Sequence, residues 1–241
     1  MSGRGPGSAR EAELRRQQEQ RRRDRRLLII VAAALVLLVV AGGVGYQLWQ
    51  ASRLPSAVPE VAETLDPVAV ETGEPVRLGA ADAPHTLTAY VDFHCPGCAG
   101  FEEDYGPGIF AAVHAGRVVL EVHPLSFHDA GSPPAANAFG CAAESGFGIA
   151  YYRGLFANRD LEWRDEQLLD LGRKVAPAAP AGFAECVTSR AHARWLESIT
   201  DGAARAGVTQ TPTILLDGDP VNLDETPPEK LVAMFEEAPA R

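Results

Sequence analysis

One tetrapeptide does most to limit what this 241-residue chain can fold into: Cys95-Pro96-Gly97-Cys98. It directly follows the strand-like run Leu87-Thr88-Ala89-Tyr90-Val91-Asp92-Phe93. Beyond it, Phe101, Tyr105, Ile109 and Val113 recur at helical spacing. Pro96 suits a first helical position, where its missing N–H costs nothing. Cysteines placed this way at a strand-to-helix junction put one sulfur at a helix N-terminus and the second on its first turn. The unpaired N–H groups and the positive end of the helix dipole favour an anion there. The thiolate is the nucleophile of disulfide exchange. The layout therefore points to thiol–disulfide chemistry, with Cys95 as the exposed attacking thiol and Cys98 as the deeper, resolving one. Two other uses stay open. A structural zinc site needs two more ligands, yet His94 cannot easily share a tetrahedral site with Cys95, and Cys141 and Cys186 are far along the chain. A permanently closed, inert disulfide needs no further residue.

The compartment follows from charge. The net charge of -10 hides an asymmetry: residues 1–26 hold 9 Arg against 4 Asp/Glu, and all the rest is strongly acidic. Such a body repels phosphates, which argues against a nucleic-acid binder. Between head and body lies the uncharged run Leu27 to Trp49. Its 23 residues reach roughly 34 Å as a helix, enough to cross a hydrocarbon core of about 30 Å. Arg21, Arg22, Arg23, Arg25 and Arg26 abut its N-terminal end, so the positive-inside rule places the N-terminus in the cytoplasm and the acidic part outside. Tyr46 and Trp49 fall where interfacial aromatics belong. The competing reading is a cleaved signal peptide, whose apolar region is shorter, about 7–15 residues; Ala41-Gly42-Gly43 is its one supporting feature. All four cysteines lie on the outer side, where disulfides form and persist.

These features divide the chain into a basic cytoplasmic tail (1–26), a transmembrane helix (27–49), a linker with Pro55, Pro59 and Pro67 (50–74), and a globular domain (75–241). Within the domain, strands are expected at Val76–Leu78, 87–93, Val118–Phe127 and Thr213–Leu216, and a closing helix at Pro228–Glu237. The helix after Pro96 is expected to kink or break at Gly106-Pro107-Gly108. Residues 133–205 are Ala-rich and helical in pattern, with interruptions at Pro177 and Pro180. The order is strand, strand, helix, strand, helical insertion, strand, helix.

With Asp92-Phe93-His94-Cys95-Pro96-Gly97-Cys98 upstream and Gly207-Val208-Thr209-Gln210-Thr211-Pro212-Thr213 downstream, the chain resembles the DsbA-like thiol–disulfide oxidoreductases, in their membrane-anchored extracytoplasmic form. The resemblance covers about residues 75–238. It implies an α/β thioredoxin-like fold with a helical insertion. It also implies that Pro212 is a cis-proline whose loop packs against the CxxC, with Thr211 pairing with substrate backbone. Exported protein thiols would be the substrates, and a quinone-linked membrane protein the redox partner. No cofactor and no metal are called for. Two departures touch the redox potential: Pro-Gly stands between the cysteines where many relatives carry a His, and Ala89 stands where thioredoxins carry a buried acid. His94 offers a possible substitute charge, though a lone His beside a turn is commonly just solvated.

Cys141 and Cys186 flank the insertion. Four cysteines allow 3 connectivities; if the CxxC pairs internally, Cys141–Cys186 follows. Such a bridge reads as a structural staple, the alternative being a relay that passes electrons to the CxxC. The remaining histidines, His85, His114, His123, His128 and His192, show no metal-ligand spacing. Glu102, Glu103 and Asp104 suit the start of a helix. Trp163 and Trp195 read as packing residues of the insertion.

Overall fold

A computed structural model describes residues 6–55, 67–180 and 182–237. Parts of the expected tail and linker, residues 1–5 and 56–66, lie outside the described residues. The chain divides into two compact units, Met1–Ser52 and Arg53–Arg241. In the first, a single helix, α1 (Pro6–Ala51), runs through basic tail and apolar span alike. Its segment Arg25–Trp49 is long and apolar enough to cross a bilayer; the most apolar 18 residues within it have a mean hydropathy of 3.1, and none of that stretch is buried. A helix satisfies its own backbone polar groups, which hydrocarbon demands.

The second unit is built on a five-stranded sheet in the order β1-β3-β2-β4-β5. The strands are β1 (Val76–Leu78), β2 (His85–Val91), β3 (Val118–Pro124), β4 (Thr213–Leu216) and β5 (Asp219–Pro220). Only β2 and β3 are parallel, in register from His85–Val118 to Val91–Pro124; the other pairings are antiparallel. A parallel pair needs a crossover, supplied by α2 (Pro96–His114). β2 stops at Val91, two residues short of the expected strand, because Asp92 and Phe93 turn into the CxxC. Leu87, Ala89, Leu120 and Val122 are buried in the middle of the sheet.

α2 is not broken at Gly106-Pro107-Gly108. Pro107 stands on the exposed side. An interior proline costs about 3 kcal/mol. Phe101, Tyr105, Ile109, Phe110 and Val113 all lie buried on the other face, and each such side chain returns about 1.5–3 kcal/mol. The glycines serve close approach instead. A Cβ on Gly106 would fall 2.6 Å from the Glu102 carboxylate, and one on Gly108 would meet Val232 of α8 (Pro228–Met234).

Among the described residues, five helices come between β3 and β4: α3 (Ser132–Glu144), α4 (Gly148–Ala157), α5 (Asp165–Val175), α6 (Gly182–Ser189) and α7 (Ala193–Arg205). They join the core through aromatic contacts. Phe93 meets Phe139, Tyr152 and Phe156 at ring-centroid distances of 5.5, 5.7 and 5.1 Å. The residue two before Cys95 is thus wedged into the insertion, which fixes where the turn emerges. Residues 67–74 also lie against the domain. Val68 and Val70 pack on the core, the Val68 N–H donates to the Ala143 carbonyl (3.0 Å), and the Trp195 indole N–H donates to the Glu74 carbonyl (2.8 Å).

Candidate active site

Cys95 is the residue immediately before α2, with extended backbone (φ -70, ψ 121). Its N–H donates to the Asp92 carbonyl (3.0 Å) and its carbonyl accepts from the Ala99 N–H (3.1 Å), so turn and helix share one hydrogen-bonded frame. Both thiols are free. Cys98 is fully buried and Cys95 is 8% exposed, so the attacking thiol expected at the surface lies largely covered. Its cover is the loop before β4: the Cys95 thiol donates to the Thr211 carbonyl (3.4 Å). The Thr211–Pro212 peptide bond is cis. A Cβ on Gly97 would lie 3.3 Å from Pro212 Cδ, so the two motifs, more than a hundred residues apart in sequence, meet here. A groove of about 510 Å³ runs from Pro212 along Ile214, Val221 and Leu223.

Burial pushes the Cys98 thiol far above the ordinary range. Two groups pull in the opposite sense, the Asp92 N–H, 3.4 Å from its sulfur, and the Thr211 side chain. A thiol this buried does not ionise on its own near neutrality, so its chemistry has to be driven by attack on its partner sulfur.

The fold agrees with comparisons to known proteins. A family model described as thioredoxin matches residues 71–236. The chain belongs to the thioredoxin family. Its domain superposes on DsbA from Mycobacterium tuberculosis with a TM-score of 0.60 and 22% identity, covering 68% of this chain and 92% of that one. For BdbD from Bacillus subtilis the TM-score is 0.57 and the identity 24%, over 72% and 97%. For MdbA, a thiol-disulfide oxidoreductase from Actinomyces oris, they are 0.60 and 19%, over 76% and 99%. A search of curated proteins finds no significant match.

Three polar groups around the turn take places that differ from what the sequence suggests for them or leaves unmarked. Asp92 is fully buried, and its carboxylate accepts four hydrogen bonds. Oδ1 takes the His94 N–H (2.9 Å) and the Ser132 hydroxyl (2.7 Å); Oδ2 takes the N–H groups of Phe127 (3.2 Å) and His128 (3.1 Å). His94 is not solvated: its side chain is 7% exposed and Nδ1 lies 2.5 and 2.6 Å from the two Asp129 oxygens. Its ring packs over Gly131 at the start of α3 and lines a cavity of about 940 Å³ with Asp129, Trp163 and Arg164. Glu102 does not decorate the helix start. It is buried one turn beyond Cys98, and burial pushes its carboxyl up to about 7 against the opposing pull of Arg153, 3.2 Å away. The one available signal was the residue pattern itself, an acid in phase with Cys98 and Tyr105 on the apolar face of α2.

Cys141 of α3 and Cys186 of α6 form a disulfide, with Cα atoms 5.8 Å apart. His192 approaches the same sulfurs to within 4.8 Å. With both sulfurs bonded to each other, this trio has no thiolate to offer a metal.

Proposed function

We propose that this protein is a membrane-anchored, extracytoplasmic thiol–disulfide oxidoreductase that introduces disulfides into exported proteins. The observation that carries the reading is the convergence of Cys95, Cys98 and the Thr211–Pro212 loop. A sulfur at a helix N-terminus, a second sulfur beneath it and a peptide carbonyl beside it make a centre for disulfide exchange with a polypeptide. In the oxidised form, a client thiolate attacks Cys95 Sγ. The Cys95–Cys98 bond breaks and its electron pair leaves on Cys98. A second client thiolate then attacks the client sulfur, releasing a client disulfide and a reduced centre. Thr211 and Pro212 hold the client backbone, and the groove beyond Pro212 receives its side chains. Cys141–Cys186 staples the insertion. The anchor α1 and the basic residues before its apolar stretch support a cytoplasmic N-terminus and an outer catalytic domain. Reoxidation falls to a membrane redox partner.

Trapping tests this reading. A Cys98→Ala protein is expected to accumulate mixed disulfides with exported clients through Cys95, visible as reducible high-mass species that vanish in Cys95→Ala/Cys98→Ala. An empty trap in an oxidising compartment overturns it. The direction of electron flow is read from the reduction potential of the pair: a value near that of thioredoxin, about -270 mV, replaces the oxidase by a reductase.

A further inference from the structure

The exchange reaction has a difficulty that the two cysteines do not solve. When a client attacks Cys95, the leaving group is Cys98, the more deeply buried of the pair. A thiolate released there forms in a site that burial makes hostile to charge. Leaving-group stability controls the rate of thiol–disulfide exchange, so the site must supply donors to that sulfur. Thr211 supplies one. The other is the main-chain N–H of Asp92, 3.4 Å from Cys98 Sγ.

That N–H shares its peptide plane with the Val91 carbonyl, which accepts from the Leu125 N–H (2.7 Å) at the end of the β2–β3 pairing. Asp92 itself lies outside both β2 and α2; its carbonyl accepts from the Cys95 N–H (3.0 Å), and its side chain holds the rest of the residue in place. Its carboxylate does so by accepting donors from three segments: the turn (His94), the loop after β3 (Phe127, His128) and the first residue of α3 (Ser132). Only a carboxylate has the acceptor capacity for this arrangement on both oxygens. An amide replaces one oxygen by a donor, which would face either His94 N–H or the Phe127 and His128 N–H pair. The four donors also offset the negative charge that would otherwise oppose a thiolate nearby.

We propose that Asp92 serves the leaving sulfur: its main-chain N–H stabilises the thiolate released at Cys98, and its carboxylate is a positioning group that, with the backbone bonds on either side, keeps that N–H on the sulfur. The step is a two-electron transfer within the exchange reaction. The client sulfur bonds to Cys95 Sγ, the Sγ–Sγ bond breaks, the electron pair goes to Cys98 Sγ, and that sulfur later takes a proton from solvent. The proposal rests on the reading of Cys95–Cys98 as an exchange centre.

The test compares two reactions at Cys95 in full-length protein in detergent, with a monothiol peptide as nucleophile and acid-quenched mass spectrometry as readout. In the first, the Cys95–Cys98 disulfide is attacked and Cys98 leaves. In the second, a Cys98→Ala protein carries glutathione on Cys95, and glutathione leaves. Asp92→Asn is expected to slow the first about tenfold, the worth of one lost hydrogen bond to a charged group, and to spare the second. A general distortion of the turn slows both. Ser132→Ala removes one of the four donors and is expected to show the same selectivity at a smaller amplitude, which carries the test if Asp92→Asn does not fold. Equal slowing of both reactions, or of neither, overturns the proposal. If the unsubstituted disulfide does not react with the peptide at all, it is the exchange reading that falls.

Discussion

Cys95 and Cys98 lie at the start of one helix, three residues apart, whereas Cys141 and Cys186 come from α3 and α6 and are 45 residues apart. A bond within a four-residue turn constrains little of the chain, so opening or closing it leaves the fold in place. A bond across 45 residues removes much of the unfolded chain's freedom, about 4 kcal/mol in the chain-entropy account. Their surroundings differ in kind. The first pair has a helix N-terminus, an N–H aimed at one sulfur and a neighbouring peptide loop. The second also has an N–H near one sulfur, from Asn137 Nδ2 to Cys141 Sγ (3.8 Å), but both its cysteines sit inside helices, among Asn137, His192 and Glu144, with no peptide loop beside them. Four identical side chains thus divide into an exchangeable pair and a fixed one through what surrounds each sulfur.

The largest effects that test this division come from alanine at each pair. Cys95→Ala is expected to abolish exchange with a dithiol peptide while the domain stays folded. Cys141→Ala/Cys186→Ala is expected to lower unfolding stability by about 4 kcal/mol in urea titrations, with exchange retained below the transition. Loss of exchange in folded double-alanine protein would make the second pair part of the electron path and erase the distinction.

A smaller effect is expected from Glu102, on the redox side. Its folded pKa, about 7, stands above the ordinary 4.5, so folding favours the protonated form. The domain loses stability as pH rises from about 4.5 to 7, with the loss complete above that, about 3 kcal/mol in all. Glu102→Gln is expected to flatten this slope in thermal unfolding across pH. The slope should survive removal of Cys141–Cys186; if it disappears with the staple, the two regions are coupled rather than independent.

The smallest effect belongs to Asn137, beside the staple. Its Nδ2 donates to the Val187 carbonyl (3.3 Å) and its Oδ1 accepts from the His192 N–H (2.9 Å), both buried. Asn137→Ala strands two backbone groups, at a cost of about 2 kcal/mol. Calorimetry is expected to show that loss while the exchange rate stays unchanged; a changed rate would again link the staple to the redox turn.

What sequence reveals here is whatever is local. The strand into CPGC, the Thr-Pro-Thr before an apolar strand and the uncharged run from Leu27 are contiguous patterns, and their physics is complete within a few residues. What it conceals is pairwise. Asp92 reads as an ordinary loop acid until residues 127, 128 and 132 bring their donors to it. His94 reads as solvated until Asp129 and Gly131 enclose it. The Gly106-Pro107-Gly108 triplet reads as a helix breaker because local propensity sees three poor helix formers. The tertiary structure has α8 and the Glu102 carboxylate needing the space those glycines leave.

The depth difference between the two redox sulfurs has a consequence for fidelity. Cys98 has no accessible surface, while Cys95 keeps a small window beside Thr211. Under the proposed chemistry, an incoming polypeptide can be tethered at one atom only. Adducts on the wrong sulfur are excluded by shape before any rate is compared. The turn works as a berth with a single mooring: every cargo docks at the same point, and the sulfur beneath it never holds one.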